Sequence, residues 1–471
     1  MKTILMKFGG SSIGITPGMT QLLSIVLHEV ERWDQVILVV SALDGITDRL
    51  LEAAQFALLS NSRGYRRIVA TLRARHFALI GDLPFGVSER SALQTDIDRI
   101  LFDMHDACQQ LGKEAGKRED ERNTHPITDR IIGTGERLTA RIVAALLRQS
   151  AMRSVAIDAT DLVITDDHFG SATPLLSLTQ ARIDEQLKPL LGRGIVPVIT
   201  GFIAATPTGV PTTLGRGGSD YTASVIAACV GAAEVWVYSD VDGIMSADPH
   251  VMADARVIET LSYEEAAELA FYGARVLHTR MIAPLQAGRI PLRVKNVFNP
   301  QASGTLIDER AAQSGAKAVT VIDGLVMTAA RSGSLIAVTA FVETQFTAVT
   351  GGRIEAVLTA QSAARAFACF VIPTYAGPDA LHMLQTTLAP HLLTLEADTI
   401  WLMQPVGVVS LVGGDVGADW GATARIVGLL RDLNVLAMTR NPSNCSLSFV
   451  LPPEQVERAV ARIHAYIVAP S

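Results

Sequence analysis

Apolar residues along this chain fall into two alternating textures: short unbroken runs, and longer stripes at helical spacing. Thr3 to Lys7, Val36-Ile37-Leu38-Val39-Val40, Val196-Pro197-Val198-Ile199 and Val235-Trp236-Val237-Tyr238 are runs of strand length that end in small or polar residues. Runs that short, without polar alternation, fit strands buried on both faces. Between them lie the stripes: a helical stretch from about Gly18, then Leu93, Ile97, Ile100, Leu101 and Met104 within Ser88 to Leu111, then Ile142, Ala145, Leu146 and Gln149. Strands alternating with helices predict an α/β fold, a mostly parallel sheet with helices on both faces. The mixed charges of Lys113 to Arg122 read as a solvated loop or helix end.

Near Asp308-Glu309-Arg310 the texture changes, and small and polar residues run to Lys317 before new apolar runs begin. Beyond this boundary Val406 to Val412 reads as a strand, and Ile426, Leu429, Leu430 and Leu433 as one helical stripe. Ser446 to Val450 is a further strand, and Val456, Val460, Ile463 and Ile467 predict a closing amphipathic helix. This is the β-α-β-β-α-β order of a ferredoxin-like unit. Ile354, Val357 and Leu358, then Phe367 to Ile372, then Leu381, Leu384 and Leu388 give a shorter, divergent copy upstream. The expected division is therefore 1–308, 317–400 and 401–471.

Composition narrows the class. The chain has 471 residues, 49% of them apolar and only 5% aromatic, so the core must be aliphatic. A net charge of -7 argues against nucleic acid or an anionic membrane as partner. Cys108, Cys229, Cys369 and Cys445 are far apart, form no C-x-x-C pair, and read as small residues in a reducing compartment. No secretory segment precedes Lys7, and no apolar run reaches the roughly 18 residues of a membrane helix. The expectation is a soluble, cytoplasmic protein.

Two glycine-rich turns carry the chemistry. Gly215-Arg216-Gly217-Gly218-Ser219-Asp220-Tyr221-Thr222 precedes the alanine-rich segment Ala223 to Val230. Its glycines let backbone N–H groups approach an anion, with Ser219 placed to cap the helix that follows. Arg216 can clamp a carboxylate or phosphate by two parallel bonds, and Asp220 can hold magnesium or an ammonium group. At the N-terminus the first strand feeds Phe8-Gly9-Gly10-Ser11-Ser12, a strand–turn–helix passage of the kind that meets phosphate at a sheet's carboxyl edge. Lys7 is the sole charge in Ile4 to Gly10. Neither G-x-x-x-x-G-K-[ST] nor G-x-G-x-x-G occurs here.

Taken in order, six motifs resemble the signatures of the aspartate kinases. They are Lys7 to Ser12, Ser41-Ala42-Leu43-Asp44-Gly45-Ile46-Thr47, Gly135-Glu136-Arg137-Leu138, Gly215 to Thr222, Tyr238 to Ile244, and Tyr272-Gly273-Ala274-Arg275-Val276-Leu277-His278. The likeness covers residues 1 to 310, and the remainder resembles the family's paired amino-acid-binding (ACT) domains. It implies transfer of the γ-phosphoryl of ATP, with Mg2+, to the side-chain carboxylate of L-aspartate, the first step toward lysine, threonine and methionine. Lys7, Asp220 and Arg275 would then be catalytic, with Asp220 also on the metal side. Ser41, Thr47, Glu136 and Arg216 would bind aspartate. Lys7, Phe8, Gly9, Gly10, Gly217, Gly218, Ser239, Asp240, Met245, His250, Arg275 and Val276 would line the nucleotide.

The sequence departs from the family in places. Met245 stands where tyrosine is common, His250 where arginine is usual, Arg275 in place of lysine, and Thr279 in place of proline. Arg275 keeps the charge but presents a planar fork rather than a compact ammonium. In the tail, Gln361 to Arg365 and Asn441-Pro442-Ser443-Asn444 stand where family members offer polar groups to an effector, here lysine or threonine. The resemblance also implies a homodimer through the tail, and a chain this long leaves no room for a fused dehydrogenase. Two alternatives stand beside it: a non-catalytic amino-acid sensor with a decayed nucleotide site, and a kinase for another amino-acid acceptor. For Glu136 itself, the plainer reading is a helix-start carboxylate paired to Arg137 or Arg141.

Overall fold

The runs at Thr3, Val36, Val196 and Val235 each form a strand, and these strands share one sheet. In the computed structural model, which describes residues 1–117, 124–274, 277–309, 315–330, 333–350, 352–392 and 399–469, Thr3–Phe8 is buried along its whole length. Within residues 1–243 and 280–309 the strands of this sheet run Ser154–Ile157, Val196–Thr200, Gln35–Val40, Thr3–Phe8, Glu234–Ser239, Leu292–Asn296 and Thr305–Ile307. Neighbours are parallel except at Thr305–Ile307, which runs antiparallel to Leu292–Asn296. From Thr3–Phe8 the chain goes first to Gln35–Val40 on one side and later to Glu234–Ser239 on the other. Their carboxyl ends therefore open a crevice at a topological switch point, where α/β sheets bind ligands.

The helices follow from the stripes. Val87–Ala115 buries Leu93, Ile97, Ile100, Leu101 and Met104 as the spacing predicts, and Thr134–Gln149 buries Ile142, Ala145 and Leu146. Of the charged segment Lys113 to Arg122, positions 118–122 lie outside the described residues. One cap differs from expectation. The helix Gly218–Val230 is entered through Gly217 at φ 67°, with no side-chain cap, and Ser219 sits inside its first turn. A left-handed N-cap frees Ser219 to pack against Gly201, where an added Cβ would meet the Ser219 Cβ at 2.5 Å.

The chain packs as two compact units, Met1–Gly243 with Arg280–Glu309, and Ile244–Thr279 with Arg310–Ser471. The segment Ile244–Thr279, read from sequence as part of 1–308, belongs to the second unit for a physical reason. Ala247 joins the apolar core of Val319, Leu411 and Phe449, and the Lys317 ammonium pairs with buried Glu265 at 2.8 Å. The second unit's sheet is antiparallel, in the order Glu355–Gln361, Arg365–Val371, Gly315–Ala330, Trp401–Gly414, Ser446–Leu451 and Ala437–Arg440. Two repeats share it: along the chain the first reads β-α-β-β-α-β, from Gly315–Ala330 to Trp401–Gly414, and the second β-α-β-β-α, from Trp401–Gly414 to Val456–Val468. The second takes its remaining strand from the start of Gly315–Ala330, because the two long strands pair almost end to end. One half of each strand serves the first repeat and the other half the second, so a cut along the chain at 400/401 is not a cut in space. The helix Trp420–Leu429 ends before Leu430 and Leu433, which stay buried from the following turn. Among the described residues, no helix is long and apolar enough to cross a membrane.

Glycine fixes the close approach at the crevice. A Cβ on Gly10 would lie 2.1 Å from the backbone oxygen of Ala42, so the two turns touch only because position 10 has no side chain. Gly10→Ala should therefore destabilise the first unit by about 1–3 kcal/mol through overpacking. Gly81→Ala is the control: it lies in the helix Ser62–Asp82 with nothing within 4 Å, and should stabilise by up to about 1 kcal/mol. Urea midpoints for both variants check the pair, and equal shifts would overturn the packing argument.

Candidate active site

Lys7 is the last residue but one of Thr3–Phe8, a strand buried along its whole length, just before the turn. Its register places it level with Val39 and Val237, and its side chain is only 11% exposed. A nearly buried ammonium needs an anion, since an unpaired charge there costs several kcal/mol. Asp220 supplies one: its Oδ1 lies 2.5 Å from the Lys7 Nζ. Asp220 stands in the first turn of Gly218–Val230, so the positive end of that helix faces the same place. Gly9 completes the turn, its N–H donating to the Tyr238 carbonyl at 3.3 Å and tying the first strand's end to that of Glu234–Ser239. Beneath, the Phe8 and Tyr238 rings stack 4.7 Å apart.

The loop after Gln35–Val40 approaches from the other side. Ser41 donates its N–H to the Phe8 carbonyl at 3.2 Å, and Thr47 lies half-buried in the first turn of Ile46–Leu58. Ala42 donates its N–H to Glu136 Oε1 at 3.2 Å. A Cβ on Gly135 would meet the Ala42 Cβ at 2.6 Å, so the Gly135-Glu136 motif, the Ser41 loop and the Gly9-Gly10 turn are in contact. Arg137 and Arg141 do not pair with Glu136; both reach Asp158, at 3.3 and 3.1 Å. Glu136 is 3% exposed, and its Oε2 has no hydrogen-bond partner among the described residues. Burial pushes its carboxyl up to about 7, against the partial opposition of the Ala42 N–H.

The second glycine turn presents Arg216. Gly215 and Gly217 take φ values of 74° and 67°, and Arg216 projects between them with an exposed side chain. Gly218 packs against Phe202 and Leu214, where an added Cβ would come within 2.8 and 3.2 Å. Two residues outside every motif support this turn. Asp129, buried in the helix His125–Ile132, accepts the N–H of Thr213 at 2.8 Å, and Arg280 donates to the carbonyl of Leu214. Burial raises the Asp129 carboxyl above its usual range, against the hydrogen bonds from Gly170 and Thr213. The one sequence signal for Asp129 was a carboxylate among Ile127, Ile131 and Ile132.

The remaining expected positions are divided between the two units. Ser239 Oγ bonds its neighbour Val241, and Asp240 is exposed at the end of its strand. Met245 and His250 fall in the second unit, Met245 bridging Val257 and His250 donating its backbone N–H to Asp248 at 2.9 Å. Arg275 and Val276 lie outside the described residues. In the tail, Ser362 Oγ closes its own turn by accepting the Arg365 N–H at 3.1 Å. Asn441, Ser443 and Ser446 all donate to the Glu268 carboxylate, so the Asn441 loop already holds an anion of its own chain. Among the described residues, no group of three or more His, Cys, Asp or Glu side chains could hold a metal. A lone carboxylate at Asp220 fits magnesium carried mainly by phosphate oxygens and water.

A model of the amino acid kinase family matches residues 2–296, spanning the whole crevice. The chain belongs to that family. Within it, the chain is similar to the lysine-sensitive aspartokinase 3 of Escherichia coli, 26% identical over 98% of both proteins. The crystal structure of E. coli aspartokinase III with aspartate and ADP superposes at a TM-score of 0.78, with 25% identity, over 99% of this chain and 100% of that one. The chloroplastic bifunctional aspartokinase/homoserine dehydrogenase 1 of Arabidopsis thaliana is 27% identical over 98% of this chain but 50% of its own length. The chain thus spans about half the length of the bifunctional relatives it matches.

Glu136 yields a prediction with a definite sign. Its folded carboxyl, at about 7 against an ordinary 4.5, holds its proton longer than the unfolded chain does. Stability therefore falls as pH climbs through that interval, by roughly 3 kcal/mol at most. Glu136→Gln removes the titration, so its stability relative to wild type should be higher at pH 8 than at pH 5. Urea unfolding at the two pH values checks it; the same offset at both would show that the carboxyl does not titrate in this window.

Proposed function

We propose that this chain is an aspartate kinase, transferring the γ-phosphoryl of ATP to the β-carboxylate of L-aspartate to give 4-phospho-L-aspartate, the entry to lysine, threonine and methionine synthesis. The observation that carries the reading is the buried Lys7–Asp220 pair at the switch point, with Arg216 on the same turn as Asp220. A carboxylate is already a nucleophile, so the transfer gains from positioning and charge neutralisation and needs no general base. One β-carboxylate oxygen attacks the γ-phosphorus, the bond to the bridging oxygen breaks, and ADP leaves. No proton changes hands. Lys7 neutralises the transferring group, Arg216 grips the α-carboxylate, and Glu136, with its unpartnered Oε2, receives the amino group. Ser41 and Thr47 bond the substrate, while Gly9, Gly10, Gly217 and Gly218 let the backbone approach the phosphates. Magnesium bound with ATP would screen the phosphate charges beside Asp220.

Regulation is proposed through the tail, with lysine or threonine as effector and a homodimer formed by the same repeats. The E. coli relative is named as lysine-sensitive, and the repeat topology is that of the family's regulatory half. Either amino acid at millimolar concentration should raise the melting temperature and lower the rate; no change in either would end this part of the reading.

The reaction is tested by trapping the acyl phosphate with hydroxylamine, with ADP release followed in parallel. A charge about 4 Å from the phosphoryl is worth roughly 4 kcal/mol at an effective dielectric near 20. Lys7→Ala should accordingly lose about a thousandfold in turnover. Hydroxamate from wild type and almost none from the variant supports the assignment. No hydroxamate from folded wild type points to a sensor or another acceptor, and a variant within tenfold of wild type removes Lys7 from the chemistry.

A further inference from the structure

Arg216 stands on a turn whose position is set by two side chains that no motif includes. Asp129 reaches that turn from the helix His125–Ile132. Its Oδ2 accepts the N–H of Thr213 at 2.8 Å and of Gly170 at 2.9 Å, and its Oδ1 accepts the Thr213 hydroxyl at 3.0 Å. One buried carboxylate therefore pins two separate backbone segments. Arg280 crosses the same segments from the other side, one arm donating to the Leu214 carbonyl and the other to Ala172 at 3.1 Å. Its guanidinium also lies 4.5 Å from the centre of the Tyr221 ring, just beyond Asp220. Between the two clamps the segments meet directly: Ala172 donates to Thr213 at 2.9 Å, and a Cβ on Gly215 would sit 3.0 Å from the Gly170 carbonyl.

The clamp ends where the left-handed glycines begin. Thr213 and Leu214 are held through backbone atoms by charged side chains, and Arg216 follows within two residues. Gly215 and Gly217 resist no rotation of their own, so the direction of the Arg216 side chain depends on how firmly residues 213 and 214 are fixed. A displacement of even 1 Å at a bidentate carboxylate clamp is costly, because both hydrogen bonds depend on one plane.

We propose that Asp129 and Arg280 are positioning residues that fix the Arg216 turn and thereby set the affinity for the acceptor's α-carboxylate. This rests on the aspartate kinase reading above. Neither residue touches the reacting atoms, so the effect should fall on one substrate. Asp129→Ala should raise KM for aspartate tenfold or more while KM for ATP stays within about threefold. Asp129→Asn should recover most of the loss. Its amide oxygen can take the two backbone N–H groups, and its amide nitrogen can donate to the Thr213 hydroxyl, which then acts as acceptor. Arg280→Lys can serve only one of the two carbonyls and should fall between.

The test is steady-state kinetics on wild type and these variants, varying aspartate and ATP separately, with melting temperatures alongside. A selective rise in KM for aspartate, relieved in the asparagine variant, supports the clamp. An equal rise for both substrates, a fall in kcat alone, or no rescue by asparagine overturns it and leaves Asp129 a fold residue. Should Asp129→Ala not fold, Thr213→Val decides: it loses one bond of the three, and an unchanged KM for aspartate overturns the proposal. A wild type without turnover fails the kinase reading and the clamp with it; an active wild type with indifferent variants fails the clamp alone.

Discussion

A positive charge at the end of a fully buried strand has to be answered, and most of the crevice is arranged around that answer. Thr3–Phe8 has strands on both sides, so the Lys7 ammonium cannot retreat to solvent along its own strand. Asp220 meets it from a helix that begins far along the chain, which ties Gly218–Val230 to the sheet's central strand. The same pairing leaves a cation, an anion and a helix N-terminus within one small volume. That combination suits a ligand that carries phosphate and neutralises charge as it reacts.

Close backbone approach is the second constraint. Gly10 and Gly135 both lie where any side chain would strike Ala42, and Ala42 in turn gives its N–H to Glu136. Three motifs remote in sequence are thus joined by absent side chains and one buried carboxylate. Among the described residues, Glu136 has a single polar contact from a neighbouring segment and a second oxygen without one. A polar group so placed costs stability unless something binds it.

Much of this was legible along the chain because burial writes itself as pattern. The strands Thr3–Phe8, Gln35–Val40, Val196–Thr200 and Glu234–Ser239 each match an unbroken apolar run, and Val87–Ala115 matches its stripe. Lys7 stood out as a lone charge before a glycine turn, and Asp220 as one of two charges in a glycine-rich octet. Asp129 and Arg280 did not, because each works through backbone atoms of residues that carry no signature of their own. Ser219 looked like a cap because serine usually is one, and Gly217 in the left-handed region took that place. Leu335–Thr350 was missed for the opposite reason: it is apolar nearly all round, so the spacing of Val338, Val342 and Phe346 hides among other apolar residues. The placement of Ile244–Thr279 depends on partners further along the chain: Lys317, which pairs with Glu265, and the core of Val319 and Phe449, which Ala247 joins.

The strands Gly315–Ala330 and Trp401–Gly414 have a consequence for how such a tail can be inherited. Each runs through both repeats and borders the other for nearly its whole length. The first repeat, from Gly324 through Val406, is one unbroken stretch of chain set inside the second, whose own strands lie on either side of it. A deletion of that stretch would remove one repeat whole, whereas the second cannot be cut out as one piece without taking the first with it.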